Sequence, residues 1–377
     1  MIREDRLKRE LPRLNARMVK QFAEANFNGR QDVMDAVRGR ERGGPRLAAW
    51  LKIPERELLA ALEIVEWPVH AAVQLYAPCA LGGVPRPRTQ QRPQAFAAPR
   101  ADLPDHISLL NRYGPPRNQG TVGTCTSYAT VAMIEGQLAD PAADLAEAFV
   151  YSITKSIDGH DGDGSWLEFS TRVLESHGVC REATWPYHPD REYLTRKPSD
   201  AALAEARKFQ IGSRIQLAPG DVDGIRAELA AGHGVGLSVP IFDSTYASLN
   251  FHSRGRFRMR LGESDAIGGG HAMCIAGYMD DPWLQQNSLD DELGGGAFLL
   301  RNSWGADWAA DNPHAARFGA SSGYAVMPYE YVRSYAYEAF SAPLPVAGDR
   351  RLGGWWSRTM TAVAARSRSR LIEIGTH

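Results

Sequence analysis

The chain has 377 residues, 44% of them hydrophobic and 23% charged, and a formal net charge of −1. This is length for roughly two or three domains and a sizeable core, and no run of about eighteen apolar residues marks a membrane span. The four cysteines, Cys79, Cys125, Cys180 and Cys274, are scattered, which excludes a paired-cysteine metal site and suits a reducing compartment. The opening stretch MIREDRLKRELPRLNARM is charged throughout and lacks the apolar core of a secretory signal, so a cytoplasmic location is expected. The neutral total conceals an asymmetry. Residues 1–100 carry 18 basic against 11 acidic side chains, residues 101–340 carry 19 against 31, and residues 341–377 carry 6 against 2. A basic arm, an acidic body and a basic tail have the signs to attract one another.

Residues 1–79 read as a helical region. Leu7, Leu11, Leu14, Met18 and Phe22 recur at three- and four-residue steps. Pro12 interrupts them and fits a first turn, which predicts a helix starting there. Val33, Met34 and Val37 mark a second segment, and PRLAAWL with IPERELLAALEIVEW a third pair. LAAWLKIPERELLAAL faintly resembles a helix-turn-helix, but Lys52 stands where the turn favours glycine, so no nucleic-acid partner is expected. Residues 80–101 are rich in Pro, Gln and Arg and read as a linker or extended strap. From residue 102 the texture becomes mixed. TCTSYATVAMIEGQL predicts a central helix with Ala129, Ala132, Met133 and Gly136 on one close-packed face; SWLEFSTRVLESHG predicts a second, closed by Gly178, and DVDGIRAELAAGHG a third, ended by Gly232. GVGLSVPI, HAMCIAGYM, GAFLLRNSW and GYAVMPY follow as strands. Helices first and strands later imply an α+β fold. DPWLQQNSLDDELGGG, residues 281–296, reads as an inserted hairpin loop. Residues 341–377 form a basic, partly amphipathic tail.

The chemistry gathers at four places. Cys125 follows the small-residue turn GTVGT and opens a helix, whose unpaired N–H groups favour a thiolate. RNQGTVGTC sets Gln119 six residues ahead, an amide able to join the Cys125 N–H in holding an oxyanion. GGGHAMCIAGY puts His271 at the start of a strand. GAFLLRNSWGADW puts Asn302 just past another, where its oxygen can accept from an imidazole N–H and the indoles of Trp304 and Trp308 can shield that bond.

These motifs, NQGxxGxC, then His-Ala ahead of an apolar strand, then NSWGxxW, resemble the papain family of cysteine peptidases in order and separation, His271 lying 146 residues after Cys125. The likeness spans about residues 102–340. It implies a papain-like two-domain fold, with a helical half carrying the cysteine, a β-rich half carrying the histidine and asparagine, and a peptide or protein substrate in the cleft between. It implies Cys125 as nucleophile, His271 as its base and Asn302 as the orienting group, with Gln119 in the oxyanion hole. Gly164, in DGDGSW, is the candidate for pairing with substrate backbone, and Gly270, immediately before His271, also falls at the substrate. The sequence departs from the family in three ways: Val122 stands at a disulfide cysteine, Thr126 replaces a tryptophan, and Gly270 replaces an Asp or Asn.

No cofactor is expected. Asp161, Asp163, Asp280, Asp281, Asp290 and Asp291 lack the spacing of a calcium loop, so no metal is expected. His160, His177, His188, His252 and His314 lie in polar stretches and read as surface residues. Three functions remain open: a peptidase whose basic N-terminal region docks on its own acidic catalytic domain, with the linker near residues 85–101 blocking the cleft; an acyl transferase or deamidase using the same residues; and a non-catalytic papain-like binding module.

Overall fold

The computed structural model describes residues 2–11, 14–25, 27, 32–33, 50–52, 80–85, 103–246, 248–262, 265–289, 293, 295–320 and 322–345. Most of the second and third N-terminal helical segments, most of the linker and nearly all of the basic tail lie outside these residues. The chain divides into two compact units: residues 1–77 with Phe242–Leu249 and Arg260–Ala266, and the remainder.

In the first unit, α1 (Ile2–Glu10) and α2 (Ala16–Glu24) replace the single helix expected from Pro12. The correction is local chemistry: a proline at residue 12 offers no N–H to extend α1, and the Asn15 side chain accepts from Met18 N at 3.0 Å to cap α2. The apolar periodicity runs across the break, and Leu7, Leu11, Leu14, Met18 and Phe22 bury together with Val19, Val33 and Leu51. Lys52 adopts φ 56°, the left-handed conformation a turn needs, so a lysine there does not argue against one.

The second unit has a helical side and a sheet. The longer helices are α3 (Cys125–Leu138), α4 (Glu147–Ile157), α5 (Leu167–Ser176) and α6 (Val222–Ala230). All of α3 but Gln137 is buried, the polar Thr126, Ser127, Thr130 and Glu135 included. Gly136 lets it approach Tyr113, since a Cβ there would lie 2.2 Å from the Tyr113 hydroxyl. Gly178 and Gly232, at φ 78° and 89°, follow α5 and α6 as the sequence implied.

The strands are β1 (His106–Ser108), β2 (Ile215–Leu217), β3 (Val235–Phe242), β4 (Ile267–Met279), β5 (Ala297–Arg301), β6 (Tyr324–Pro328) and β7 (Glu338–Ser341). They form one sheet in the order β2-β7-β3-β4-β5-β6, with β1 on β4. Cys274 pairs with Arg301 and Ile275 with Leu300, but Gly277 pairs with Leu299, leaving Ala276 as a bulge whose carbonyl accepts from Leu109 N at 2.8 Å. This register sets Asn302, just past β5, near His271, which is the fifth residue of β4 and not its start as expected, since β4 begins at Ile267. The two sides are tied by Glu338 on β7, whose carboxylate accepts from the N-terminal amides of α5, Leu167 N at 2.9 Å and Glu168 N at 3.3 Å.

Residues 281–296 are not a simple hairpin loop. They begin with α7 (Asp281–Gln286), because Pro282 suits a first turn and has no N–H to leave unpaired. No helix among the described residues is long and apolar enough to cross a membrane. Gly136→Val should force α3 off Tyr113 and lower unfolding stability by about 1–3 kcal/mol, read from the denaturant midpoint at unchanged m-value.

Candidate active site

Cys125 is the first residue of α3 and fully buried. The turn ahead of it is closed by Thr124 N donating to Val122 O at 2.8 Å, and Thr124 Oγ1 shares a 2.8 Å hydrogen bond with the Tyr187 hydroxyl. The sulfur accepts from the backbone N–H of Ala272 at 3.4 Å, which places it at the residue following His271. Phe340, Leu167 and Ala129 pack around it with Ala272.

His271 Nε2 lies 2.7 Å from Asn302 Oδ1. That oxygen also accepts from Ser303 N at 2.8 Å. Having no proton to give, it assigns the neutral imidazole proton to Nε2 and leaves Nδ1 as the free nitrogen, which has no hydrogen-bond partner among the described residues. Trp304 stacks on the imidazole with ring centroids 4.6 Å apart, and Trp308 meets Trp304 edge-on at 5.1 Å.

Gln119 joins this group through Ser303. Its Oε1 accepts from Ser303 Oγ and its backbone N–H donates to Ser303 O at 2.8 Å, so the segment bearing Gln119 is stitched to the residue after Asn302. The Tyr187 hydroxyl donates to Gln119 O at 2.8 Å. The structure therefore brings Cys125, His271, Asn302, Gln119, Trp304 and Trp308 together from three distant stretches of chain.

The cleft over the sulfur is filled by residues 80–84 of the same chain. Gln119 Nε2 donates to Ala80 O at 3.1 Å as well as to Val122 O at 2.9 Å. Gly83 N donates to Gly270 O at 2.9 Å, Ser165 N to Gly82 O at 2.8 Å and Val84 N to Ser165 O at 2.9 Å. Thus Gly83 bridges two walls, parallel to Ser165 and antiparallel to Gly270. Both glycines are required: a Cβ on Gly82 would lie 2.0 Å from Gly123 O, and one on Gly83 2.8 Å from His271 N. Residues 80–84 thus lie in the cleft as an extended strap, while residues 86–101, most of the stretch expected to block it, lie outside the described residues.

Burial governs the protonation of the pair. It pushes the Cys125 thiol up to about 11, against the backbone amides of Ala272 and Gly82 that face the sulfur. It pulls the His271 imidazole down to about 4, against the Asn302 hydrogen bond. Burial thus overrides the thiolate expected from the helix N-terminus.

Behind Asn302 lies a cavity of about 10 Å³, room for one water, lined by Asn302, Ser303, Arg117, Glu135, Glu147 and Arg301 among others. Among the described residues, Asn302 Nδ2 and Glu147 Oε2 have no hydrogen-bond partner. Arg117 holds Glu135 at 2.8 Å and Glu147 at 2.5 Å, and also reaches Asp144. Burial raises both glutamates, against Arg117.

A model of the papain family of cysteine proteases matches residues 105–316. The chain belongs to this family. Rat cathepsin J is 28% identical over 199 residues, covering 52% of this chain and 54% of its own; the chain spans about half the length of that relative. Xylellain, a cysteine protease from Xylella fastidiosa, matches in structure with a TM-score of 0.53 and 23% identity, over 71% of this chain and 97% of its own. The digestive procathepsin L 3 of Tenebrio molitor larval midgut matches with a TM-score of 0.51 and 20% identity, over 72% and 78%. The fold is accordingly α+β and papain-like.

Of the remaining sequence candidates, Gly270 contacts the strap through its carbonyl, and Gly164 lies against it, a Cβ there meeting Gly82 O at 2.7 Å. The residue that pairs with the strap backbone is the next one, Ser165. His252 and His314 are buried, correcting their reading as surface residues: His252 stacks on Trp304, and His314 Nε2 meets Leu289 O at 3.3 Å. Sequence reading missed Ser165, Ser303, Tyr187 and the Arg117 cluster. Only the Leu81-Gly82-Gly83 run, a double glycine, could have marked the strap.

Arg117→Met should strand two buried carboxyls and cost about 3–5 kcal/mol near neutral pH. Arg117 works against burial at both carboxyls, so its loss raises them further and the variant's folded state binds more protons than the wild type's. The deficit should therefore shrink as pH falls toward the ordinary carboxyl range, as thermal unfolding across pH would show.

Proposed function

We propose that the chain is a cysteine peptidase, with Cys125 as nucleophile, His271 as proton carrier, Asn302 orienting His271 and Gln119 as oxyanion donor, held inactive while residues 80–84 fill the cleft. The observation that carries this reading is the 2.7 Å contact of His271 Nε2 with Asn302 Oδ1, made beside a sulfur at hydrogen-bond distance from the next amide along, Ala272 N at 3.4 Å. It leaves His271 Nδ1 as the nitrogen available to the thiol.

Once the strap leaves, water reaches the pair and ionisation of the thiol becomes affordable. The Cys125 proton passes to His271 Nδ1, and the thiolate attacks a peptide carbonyl carbon. The oxygen takes the negative charge and accepts from Gln119 Nε2, the donor now engaged by Ala80 O, and from the Cys125 N–H. The C–N bond breaks as His271 protonates the leaving amine, which leaves a thioester on Cys125. Water attacks that thioester, gives a proton to His271, and the acid departs with the thiol restored. Ser165 N–H and C=O with Gly270 C=O supply the backbone pairing for an extended peptide, as they do for the strap.

Intact mass of the wild-type chain against Cys125→Ala, with and without limited proteolysis of the strap, tests nucleophile and inhibition together. The cut wild type should hydrolyse peptides and take one equivalent of a thiol-directed epoxide at Cys125. Equal, slow labelling of every cysteine after the cut would refute the reading.

In the uncut chain a thiol at about 11 leaves roughly one molecule in ten thousand ionised at neutral pH, so iodoacetamide should react slowly with Cys125, and the rate should climb about tenfold per pH unit toward that value. Gly82→Val, unable to seat beside Gly123, should raise the rate at pH 7 by about a hundredfold as the thiol returns toward its ordinary range.

A further inference from the structure

The loop from Asp158 to Ser165 is built around a buried cation. The Lys155 side chain, in the last turn of α4, is 6% exposed, and its Nζ donates to Asp158 Oδ2 at 2.8 Å, His160 O at 2.7 Å and Gly164 O at 3.1 Å. An ammonium has three protons to give, and all three are used. The Asp158 carboxylate is itself fully enclosed, and its other oxygen accepts from His160 N at 3.0 Å, so the cluster is neutral and saturated. From outside, the Tyr151 hydroxyl donates to Asp163 O at 2.8 Å and Arg191 pairs with Asp163 at 3.1 Å.

The consequence follows from one peptide plane. Gly164 C=O and Ser165 N–H belong to the same trans peptide unit and must point in opposite directions. With the carbonyl drawn inward onto Lys155 at 3.1 Å, the N–H faces outward, where it meets Gly82 O at 2.8 Å. The Ser165 carbonyl, one unit on, accepts from Val84 N at 2.9 Å.

We propose that Lys155 is a positioning residue for substrate: its ammonium fixes the Gly164–Ser165 peptide plane and so aims Ser165 at the backbone of an extended peptide in the cleft. That substrate role rests on the peptidase reading, whereas the geometry is legible on the strap, which occupies the same edge without being cut. Lys155 touches neither the sulfur nor the imidazole, so its loss acts on docking of a backbone and not on the chemistry at Cys125.

The test uses the full chain and site-resolved amide hydrogen exchange. Lys155→Met keeps length and removes the charge. The amides of Ser165 and Val84 should exchange about tenfold faster, with Cys125 alkylated faster in parallel, while amides within β4 and β5 keep their wild-type rates. In Lys155→Ala, ammonium chloride should slow Ser165 exchange relative to sodium chloride at equal ionic strength, a rescue that simple space-filling would not produce. Unchanged exchange at Ser165 and Val84, or equal acceleration throughout α3 and β4, would overturn the proposal. If Lys155→Met does not fold, Asp158→Asn decides instead: local acceleration at the same two amides supports the clamp, and silence overturns it. A strap-cut wild type that hydrolyses no peptide would end the peptidase reading while leaving the exchange result to stand by itself.

Discussion

The exclusion of water from Cys125 and His271 is the constraint on which the rest depends. A thiolate–imidazolium pair needs either solvent or fixed charge around it, and here both groups are fully buried. The start of α3 and the amides of Ala272 and Gly82 favour the thiolate, yet burial outweighs them and leaves the thiol at about 11. The imidazole, at about 4, is equally uncharged. Part of the apolar wall is permanent, supplied by Leu167, Ala129, Ala272 and Phe340. Residues 80–84 lie over the sulfur as well, with the Gly82 amide facing it.

At its centre the strap has no side chain. Gly82 and Gly83 bring bare backbone against Gly123, Gly164 and Gly270, each wall residue itself lacking a Cβ. Two peptide planes thereby fit where one substituted residue would collide with main chain. The walls stay in place because they are pinned from behind: Ser303 joins the Gln119 segment to Asn302, and Arg117 braces α3 and α4 through Glu135 and Glu147. A buried ion cluster of this kind is a poor source of net stability, and its value lies in the single arrangement that satisfies it.

Much of the fold was legible because period and punctuation agreed. The close-packed face of α3 and the glycines after α5 and α6 carry their reasons in local sequence, as does the α2 continuation of the Leu7–Phe22 stripe. The split at Pro12 was misjudged because Asn15, a stronger start signal, lay three residues further on. The short strands β1, β2 and β7 were invisible: three or four residues carry no periodicity, and their pairing is decided by partners more than 100 residues away. The site divides in the same way. Cys125, His271, Asn302 and Gln119 each sit in a motif with a chemical purpose of its own. Ser165, Tyr187 and Lys155 act through a carbonyl, a hydroxyl or a peptide plane that only the folded loop brings into position, so nothing in their sequence neighbourhood marks them.

The hold of the strap is itself a question of magnitudes. It rests on backbone hydrogen bonds to Ser165 and Gly270, the carbonyl of Ala80 on Gln119 and Trp304, and the contact of Leu81 with Gly269. Each such bond contributes about 0.5–1.5 kcal/mol net, and glycines surrender much conformational freedom in being fixed. A free pentapeptide with those contacts would be a weak ligand. The strap stays because it is tethered, which gives it an effective concentration in the millimolar range or above. A cut on the C-terminal side of Val84 would remove that advantage on one side while leaving the backbone bonds of residues 80–84 to Ser165 and Gly270 intact.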